Sequence, residues 1–350
     1  TKPQISCERA KIYTDSYRET EGEPMCIRSA KAYLAACEKL PVTIFDDEII
    51  VGTAGEFKRT GILTPEFSWK WVDKEMDKFS TRGQDPYEMT DEQREFTRKE
   101  IFPYWKGKSL EELYLKRLPE DTAKILIDTG VLDNDSKWRQ AVGEVTPDYE
   151  DILLPKGYQK IKEEALAKIE ELDIAIPENI EKIEFYKSQV IICDGIMTFA
   201  KRYSDLAYEM AQKETNEKRK AELIKIGDVC KKVPAYPPES FYEAIQFIWF
   251  VQVGGIICEN PLSLNPGRFD QYMYPYYEKD IKEGKLDKDG ALELIEALWI
   301  KYSEWVWTIS ENTAGYFAGY NQFQNLTVGG RKRDGSDATN DLTYLCLQAT

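Results

Sequence analysis

The chain has 350 residues, 42% hydrophobic and 31% charged, so it can bury a sizeable core and is not predominantly disordered. Asp and Glu outnumber Lys and Arg by 62 to 47, and the net charge of −15 argues against broad binding to nucleic acid or anionic membranes. Histidine is absent, which excludes Ser-His-Asp and Cys-His nucleophiles and histidine-based zinc sites.

The predicted elements are mainly helices. The runs 42–45 and 48–52 flank a turn and indicate a small hairpin or an extended edge. Thr90 and Gln93 form a capping-box signature for a helix that Pro103 is expected to end. Ser240 is expected to cap a nearly all-apolar, deeply buried helix, with a loop or short strand over 254–266 after it. Helices are predicted over 5–18, 25–40, 91–102, 156–172, 178–213, 217–231, 241–253 and 287–305.

Near the end of the chain, residues 326–330 indicate a short strand, and a helical pattern that begins at Asp341 is still running at Thr350. No repeat or linker divides the chain, so we expect one helix-rich unit over 1–350 whose end does not resemble a domain boundary. The start does not resemble a signal peptide, and no 18-residue apolar run is present. Seven cysteines without a Cys-x-x-Cys pair indicate reduced, mostly buried thiols in a cytosolic protein.

Two segments have residue types suited to chemistry. The first, Gly143 to Tyr149, puts Glu144 and Asp148 beside a tyrosine. A carboxylate in an apolar cleft has a raised pKa and can act as an acid or a base, although a solvated loop explains the same residues. In the second, 254–272, Arg268 and Asp270 are expected to be paired internally, which leaves Ser263 unexplained.

Two further patterns are weaker. Residues 329–335 superficially resemble a phosphate loop but lack the Gly-Lys-Ser/Thr ending. An aromatic cluster near the end of the chain fits either core packing or a ligand cavity. Its members are Trp299, Tyr302, Trp305, Trp307, Tyr316, Phe317, Tyr320 and Phe323.

Seven segments, spread in order over essentially the whole chain, share one family pattern. They are Cys7 to Ala10, Tyr17 to Pro24, Asp47 to Gly52, Thr81 to Pro86, Phe102 to Trp105, Gly143 to Tyr149 and Pro266 to Tyr277. Taken together, they resemble the N-terminal part of glycyl radical enzymes of the pyruvate formate-lyase type. The similarity is strongest to the branch that holds glycerol and diol dehydratases, choline lyase and hydroxyproline dehydratase.

The resemblance implies an α/β fold dominated by helix, namely the N-terminal half of a ten-stranded β/α barrel of the pyruvate formate-lyase type. The family's chemistry needs a thiyl-radical cysteine, usually in Gly-Cys-Val-Glu, and a radical glycine in a C-terminal loop. Neither motif occurs in these 350 residues. The resemblance therefore assigns no catalytic residue and no metal ligand to this chain.

The resemblance does assign a substrate wall, formed by Glu144, Leu262 and Ser263. Polyol dehydratases of the family have a histidine at the position of Glu144 and a His–Ser pair at the positions of Leu262 and Ser263. Glu144 is compatible with a hydroxyl-bearing or cationic substrate, and Leu262 suggests a less hydroxylated one. The absence of histidine is explained equally by divergence and by sequence engineering.

Two functional hypotheses follow. The first is a glycyl radical lyase or dehydratase that cleaves a C–O, C–N or C–C bond of a small polar metabolite, with this chain as its N-terminal half. The second is an inactive half-length relative that serves as a scaffold or binding module. The resemblance also implies no bound cofactor, a glycyl radical installed by a radical S-adenosylmethionine activating enzyme, a homodimer, and an anaerobic cytoplasm.

Overall fold

The computed structural model describes residues 2–129, 144–320 and 324–350, with backbone only at 126–128 and 144. Helix dominates these residues. The helices are α1 Glu8–Glu19, α2 Met25–Lys39, α3 Lys70–Glu75, α4 Asp91–Phe96, α5 Phe102–Trp105, α6 Leu110–Arg117, α7 Glu120–Thr129, α8 Leu154–Glu171, α9 Pro177–Lys213, α10 Glu217–Lys232, α11 Phe241–Glu259, α12 Phe269–Tyr272, α13 Tyr274–Lys282, α14 Lys288–Glu304, α15 Glu311–Ala314 and α16 Asp341–Gln348. The strands are β1 Gln4–Ser6, β2 Thr60–Ile62, β3 Glu144–Val145 and β4 Ser263–Leu264.

The predicted helix starts at Thr90 and Ser240 are confirmed. The hydroxyl of Thr90 accepts from the N–H of Gln93, whose side chain returns a hydrogen bond, and Ser240 accepts from the N–H of Glu243. The predicted end at Pro103 is wrong. After α4 the chain makes a π-helical turn at 97–101 and then α5, in which proline occupies an early position that needs no N–H donor.

Helix α11 is the centre of the core. It is long and apolar enough to cross a membrane, with a mean hydropathy of 1.4, but 83% of that window is buried within the chain. It extends six residues beyond the predicted end at Val253, through a glycine pair. A Cβ at Gly254 would lie 2.8 Å from the hydroxyl of Tyr33, and one at Gly255 would lie 2.5 Å from Leu264. These glycines therefore permit close packing and do not break the helix.

Parallel pairing organises the first extended segments. β1 pairs with β2 in the register Gln4–Thr60, and isolated bridges add Glu88 beside β1 and Val306 beside β2. The hairpin or extended edge expected over 42–52 is not formed by those residues. The carboxamide of Gln246 instead accepts from the N–H of Val51 at 2.9 Å and donates to its carbonyl at 2.8 Å, which supplies the bonds that a strand partner would have made.

A second parallel pair lies farther along the chain. β3 pairs with β4 in the register Glu144–Ser263 and Val145–Leu264, and Gly267 bridges Leu326 on the other side. The strand expected over 326–330 is therefore reduced to this single bridge at Leu326. The connection 254–266, expected to be a loop or short strand, consists of the end of α11 followed by β4.

Candidate functional site

The position of β4 depends on where α11 ends, because β4 begins four residues after the helix. Arg9 is fully buried, and its guanidinium donates to the carbonyls of Ile257 at 2.5 Å and Cys258 at 2.7 Å. It also donates to Glu66 at 2.6 Å and lies 3.6 Å from the centre of the Tyr13 ring. A cation at a helix C-terminus satisfies the last carbonyls and opposes the negative end of the helix dipole. Arg9 thus fixes the point at which the chain leaves α11 for β4.

Asn260 makes the turn between these two elements. Its backbone is left-handed, with φ of 46° and ψ of 53°, which asparagine tolerates better than most residues. Its side-chain Nδ2 donates to the carbonyl of Thr308 at 3.2 Å. The turn is therefore tied to the segment that follows α14, and β4 starts from a fixed position.

The predicted wall residues Leu262 and Ser263 are adjacent, and the structure gives them different surroundings. Leu262 is buried in a small apolar cluster with Trp307, Ile309 and Ala314. Ser263 is fully buried and donates its hydroxyl hydrogen to Oδ1 of Asn265 at 2.7 Å. Alternate residues of an extended chain face the same side, so Ser263 and Asn265 share a face that Leu262 does not.

Glu144 lies in β3, and the β3–β4 register places its backbone directly beside that of Ser263. Two of the three predicted wall positions are thus neighbours in space although 119 positions separate them along the chain. The side chain of Glu144, like residue Gly143 before it, lies outside the described residues. Its role in substrate binding stays a prediction.

The other residues of the 143–149 motif have structural roles. Asp148 is exposed, and its carboxylate accepts from the N–H of Asp151 at 2.9 Å, which caps the π-helical turn that follows. Tyr149 is buried, stacks on Tyr272 with ring centres 5.4 Å apart, and accepts a hydrogen bond from Gln252. Burial holds the pKa of Tyr149 well above its usual value. Asp148 therefore matches the solvated-loop interpretation, and Tyr149 belongs to the core.

Arg268 and Asp270 both have internal partners, as expected, and they meet at Gly329. Arg268 donates to the carbonyl of Gly329 at 3.1 Å, and the buried carboxylate of Asp270 accepts from its N–H at 2.7 Å. The hydroxyl of Thr343 donates to the same carboxylate. Because this backbone N–H is occupied by a carboxylate, the 329–335 turn does not offer it to a phosphate.

A groove of about 630 Å³ lies beside α14 and α16. Trp299 and Tyr302 of the predicted aromatic cluster line it and stack with centres 5.8 Å apart, whereas Trp305 and Trp307 are core residues. Asn325 lines the groove as well. The aromatic cluster is therefore divided between core, groove and surface, since Tyr316 is exposed, and its member Phe323 lies outside the described residues.

All seven cysteines are free, and five of them are buried. Burial raises the pKa of Cys7 to about 11 and that of Cys258 to about 12. A thiol with so high a pKa is a poor nucleophile at neutral pH. Among the residues that the structure describes, no group of three or more cysteine, aspartate or glutamate side chains is placed to hold a metal ion.

Residues 1–350 match the family described as pyruvate formate lyase-like. The chain is 39% identical over 359 residues to isethionate sulfite-lyase of Nitratidesulfovibrio vulgaris, covering 100% of this chain and 43% of that protein. It is 30% identical over 357 residues to trans-4-hydroxy-L-proline dehydratase of Clostridioides difficile, covering 99% of this chain and 44% of that protein.

Among solved structures, one from Roseburia inulinivorans concerned with 1,2-propanediol dehydration superimposes with a TM-score of 0.96 at 39% identity. The superposition covers 100% of this chain and 44% of the Roseburia chain. The glycerol-bound B12-independent glycerol dehydratase from Clostridium butyricum superimposes with a TM-score of 0.93 at 37% identity. That superposition covers 99% of this chain and 44% of the dehydratase chain.

The chain therefore belongs to the pyruvate formate-lyase-like family, among the glycyl radical enzymes. The predicted fold, the first half of a β/α barrel of this type with dominant helix, is confirmed. The chain spans less than half the length of the relatives that it matches.

Two residues that organise this region were not predicted from the sequence. They are Asn265, which bonds to Ser263 and Asn325, and Arg9, whose bonds to the carbonyls of Ile257 and Cys258 form a clamp on the end of α11. Asn265 stands between Leu264 and Pro266, where asparagine usually marks an ordinary turn. Arg9 gives a stronger signal, because it is an arginine in a helix whose neighbours on the inner face are apolar.

Proposed function

We propose that this chain is part of a glycyl radical lyase or dehydratase that cleaves a C–O, C–N or C–C bond in a small polar metabolite. The observation that carries the proposal is the family match over the whole chain, together with relatives named as lyases and dehydratases. A sulfite-lyase acting on isethionate cleaves a carbon–sulfur bond, so the proposed class extends to that bond.

The substrate contacts proposed for this half are Glu144, Leu262 and Ser263. A carboxylate and a hydroxyl suit a substrate that carries hydroxyl groups, and an apolar side chain at 262 limits how many of them the site can satisfy. The backbone pairing of Glu144 with Ser263 supports their acting on one substrate. A compound with one or two hydroxyl groups fits this set better than a fully hydroxylated polyol.

The remaining parts of the proposal concern the whole protein. A glycyl radical supplies the hydrogen-abstraction chemistry, and a radical S-adenosylmethionine activating enzyme with an iron–sulfur cluster installs it. Residues 1–350 contain no Gly-Cys-Val-Glu motif, so the radical-bearing residues would lie in another part of the protein. We further propose a cytoplasmic homodimer that works without dioxygen.

The experiment is anaerobic activation of the protein at its native length by such an activating enzyme. A glycyl radical doublet in the electron paramagnetic resonance spectrum is expected. It should be followed by turnover of at least one member of a panel of isethionate, 1,2-propanediol, glycerol and trans-4-hydroxy-L-proline, monitored by NMR.

The lack of the radical-cysteine motif in these residues favours one alternative, an inactive scaffold. The same experiment separates the two functions. A native protein without radical signal or turnover, in which an activated relative treated in parallel shows both, would refute the lyase and leave the scaffold.

A further inference from the structure

Asn265 joins three segments of the wall region through its own hydrogen bonds. Its backbone N–H donates to the carbonyl of Val145 at 2.8 Å, at the end of β3. Its Oδ1 accepts from the hydroxyl of Ser263 at 2.7 Å and from the backbone N–H of Asn325 at 2.9 Å. Its Nδ2 lies 3.4 Å from the hydroxyl oxygen of Thr146. Asn265 is thus the point at which β3, β4 and the segment at 325 meet.

These contacts fix which way the carboxamide points. A backbone N–H can only donate, so Asn325 requires Oδ1 on its side, and the hydroxyl of Ser263, which can donate or accept, then donates to the same oxygen. The amino group Nδ2 must then face the opposite way. Its contact with Thr146 is long, and it uses at most one of the two N–H donors.

Exposure increases along this chain of contacts. Ser263 is fully buried, Asn265 is half-buried, and Thr146 and Asn325 are exposed. Nδ2 points toward the exposed Thr146, whereas Oδ1 faces the buried hydroxyl of Ser263 and the N–H of Asn325. The amide N–H groups of Asn265 therefore lie on the exposed Thr146 side, and Ser263 holds the amide in place from the other side.

We propose that Asn265 determines substrate specificity, by donating a hydrogen bond from Nδ2 to an oxygen acceptor of the substrate. The acceptor is a hydroxyl, carboxylate or sulfonate oxygen, because an N–H donor rewards an oxygen lone pair and does not reward an ammonium group. Ser263 is then a positioning residue for Asn265 as well as part of the wall. This inference rests on the proposed lyase function and assigns the chemical class of group that the wall recognises.

The test is the variant Asn265→Asp in the activated protein at its native length. Aspartate is nearly isosteric and can still accept from Ser263 and Asn325, so the wall is retained, but an oxygen replaces the donor Nδ2. We expect the KM for isethionate to rise by about 10- to 100-fold, and the KM for 1,2-propanediol to rise by a smaller factor. The difference arises because the new carboxylate fails to donate to either substrate and also repels the anionic sulfonate. The thermal midpoint should stay close to that of the wild type.

Two further variants sharpen the test. Gln212→Glu adds the same single charge at an exposed position of α9 and should leave both KM values unchanged. Ser263→Ala removes one of the two donors that orient the amide, and it should raise the KM by a smaller factor than Asn265→Asp. A purely structural role for Asn265 would lower the thermal midpoint and affect both substrates equally.

The outcomes distinguish the inference from the function beneath it. If the wild type turns over the panel and Asn265→Asp has unchanged KM values, the role of Asn265 is refuted while the lyase assignment stands. If the activated wild type neither binds nor turns over any member of the panel, the proposed function fails and the specificity assignment fails with it. A raised KM with selective loss of isethionate supports both.

Discussion

Lys301 provides the sharpest test of what holds this half-barrel together. Its ammonium lies 2.7 Å from Glu48 and 2.7 Å from Glu304, and the three side chains are 3%, 4% and 9% exposed. Burial lowers the pKa of Lys301, but the two carboxylates outweigh that effect and hold it above its usual value. The triad ties the end of α14 to the irregular segment 42–52. Lys301→Met removes the buried cation and leaves two buried carboxylates together, with the half-exposed Lys58, 3.6 Å from Glu304, as the remaining cation.

The expected loss is large because the remaining charges cannot reach water. Breaking a buried ion pair by removing one partner costs about 3–5 kcal/mol of unfolding free energy. Replacing the whole triad, with Glu48→Gln and Glu304→Gln added, should recover most of that loss, since the buried negative charges are gone. The matched control is Lys282→Met. Its ammonium is 68% exposed and pairs with Glu278 at 2.9 Å, so the change should cost at most about 1 kcal/mol.

The assay is urea unfolding followed by tryptophan fluorescence, with Trp249 only 5.5 Å from the ammonium as a local reporter. In the wild type, the raised pKa means that the stabilisation from Lys301 is fully present below its ordinary pKa of 10.5 and is lost as pH rises through the folded-state value. Equal losses for Lys301→Met and Lys282→Met at neutral pH would refute this reasoning.

Three other predictions test packing, reactivity and the clamp. Gly157→Ala should lower the free energy of unfolding by at least about 2 kcal/mol in the same assay, because the φ of Gly157 is 67° and a Cβ there would lie 2.5 Å from a carbonyl oxygen. The control Gly83→Ala should be near neutral, since a Cβ at Gly83 would have nothing within 4 Å. A thiol reagent added to the native protein at pH 8 should modify Cys26 rapidly and the five buried cysteines slowly; fast reaction of several of those five would contradict their burial. Arg9→Met should speed hydrogen exchange at the last turn of α11 and in β4, and unchanged protection there would show that the clamp is dispensable.

The helices could be predicted from sequence because their signals are local. The capping box at Thr90 and the cap at Ser240 need only residues three positions apart, and both are found in the structure. The end of α11 could not be predicted, since Gly254 and Gly255 look like breakers until Tyr33 and Leu264 are known to pack against them.

Non-local contacts explain the other differences. The strand expected near Val51 does not form because a side chain 195 positions later, Gln246, satisfies its backbone. Leu262 and Ser263 were assigned to the predicted substrate wall through a family resemblance, whereas Asn265 became visible only through the three segments that it joins. No periodicity in the sequence encodes such a junction.

The clamp at Arg9 also bears on the order in which the protein is made. Its bond to Ile257 joins residues 248 positions apart, so the first helix leaves the ribosome long before its anchor exists. At about 5–20 residues per second, synthesis of the intervening chain takes roughly 12–50 seconds. During that interval the Arg9 guanidinium remains in water, and β1 and α1 cannot pack against α11. Nascent chains halted before residue 257 should therefore leave their N-terminal segment open to proteolysis, and chains halted well beyond it should protect that segment.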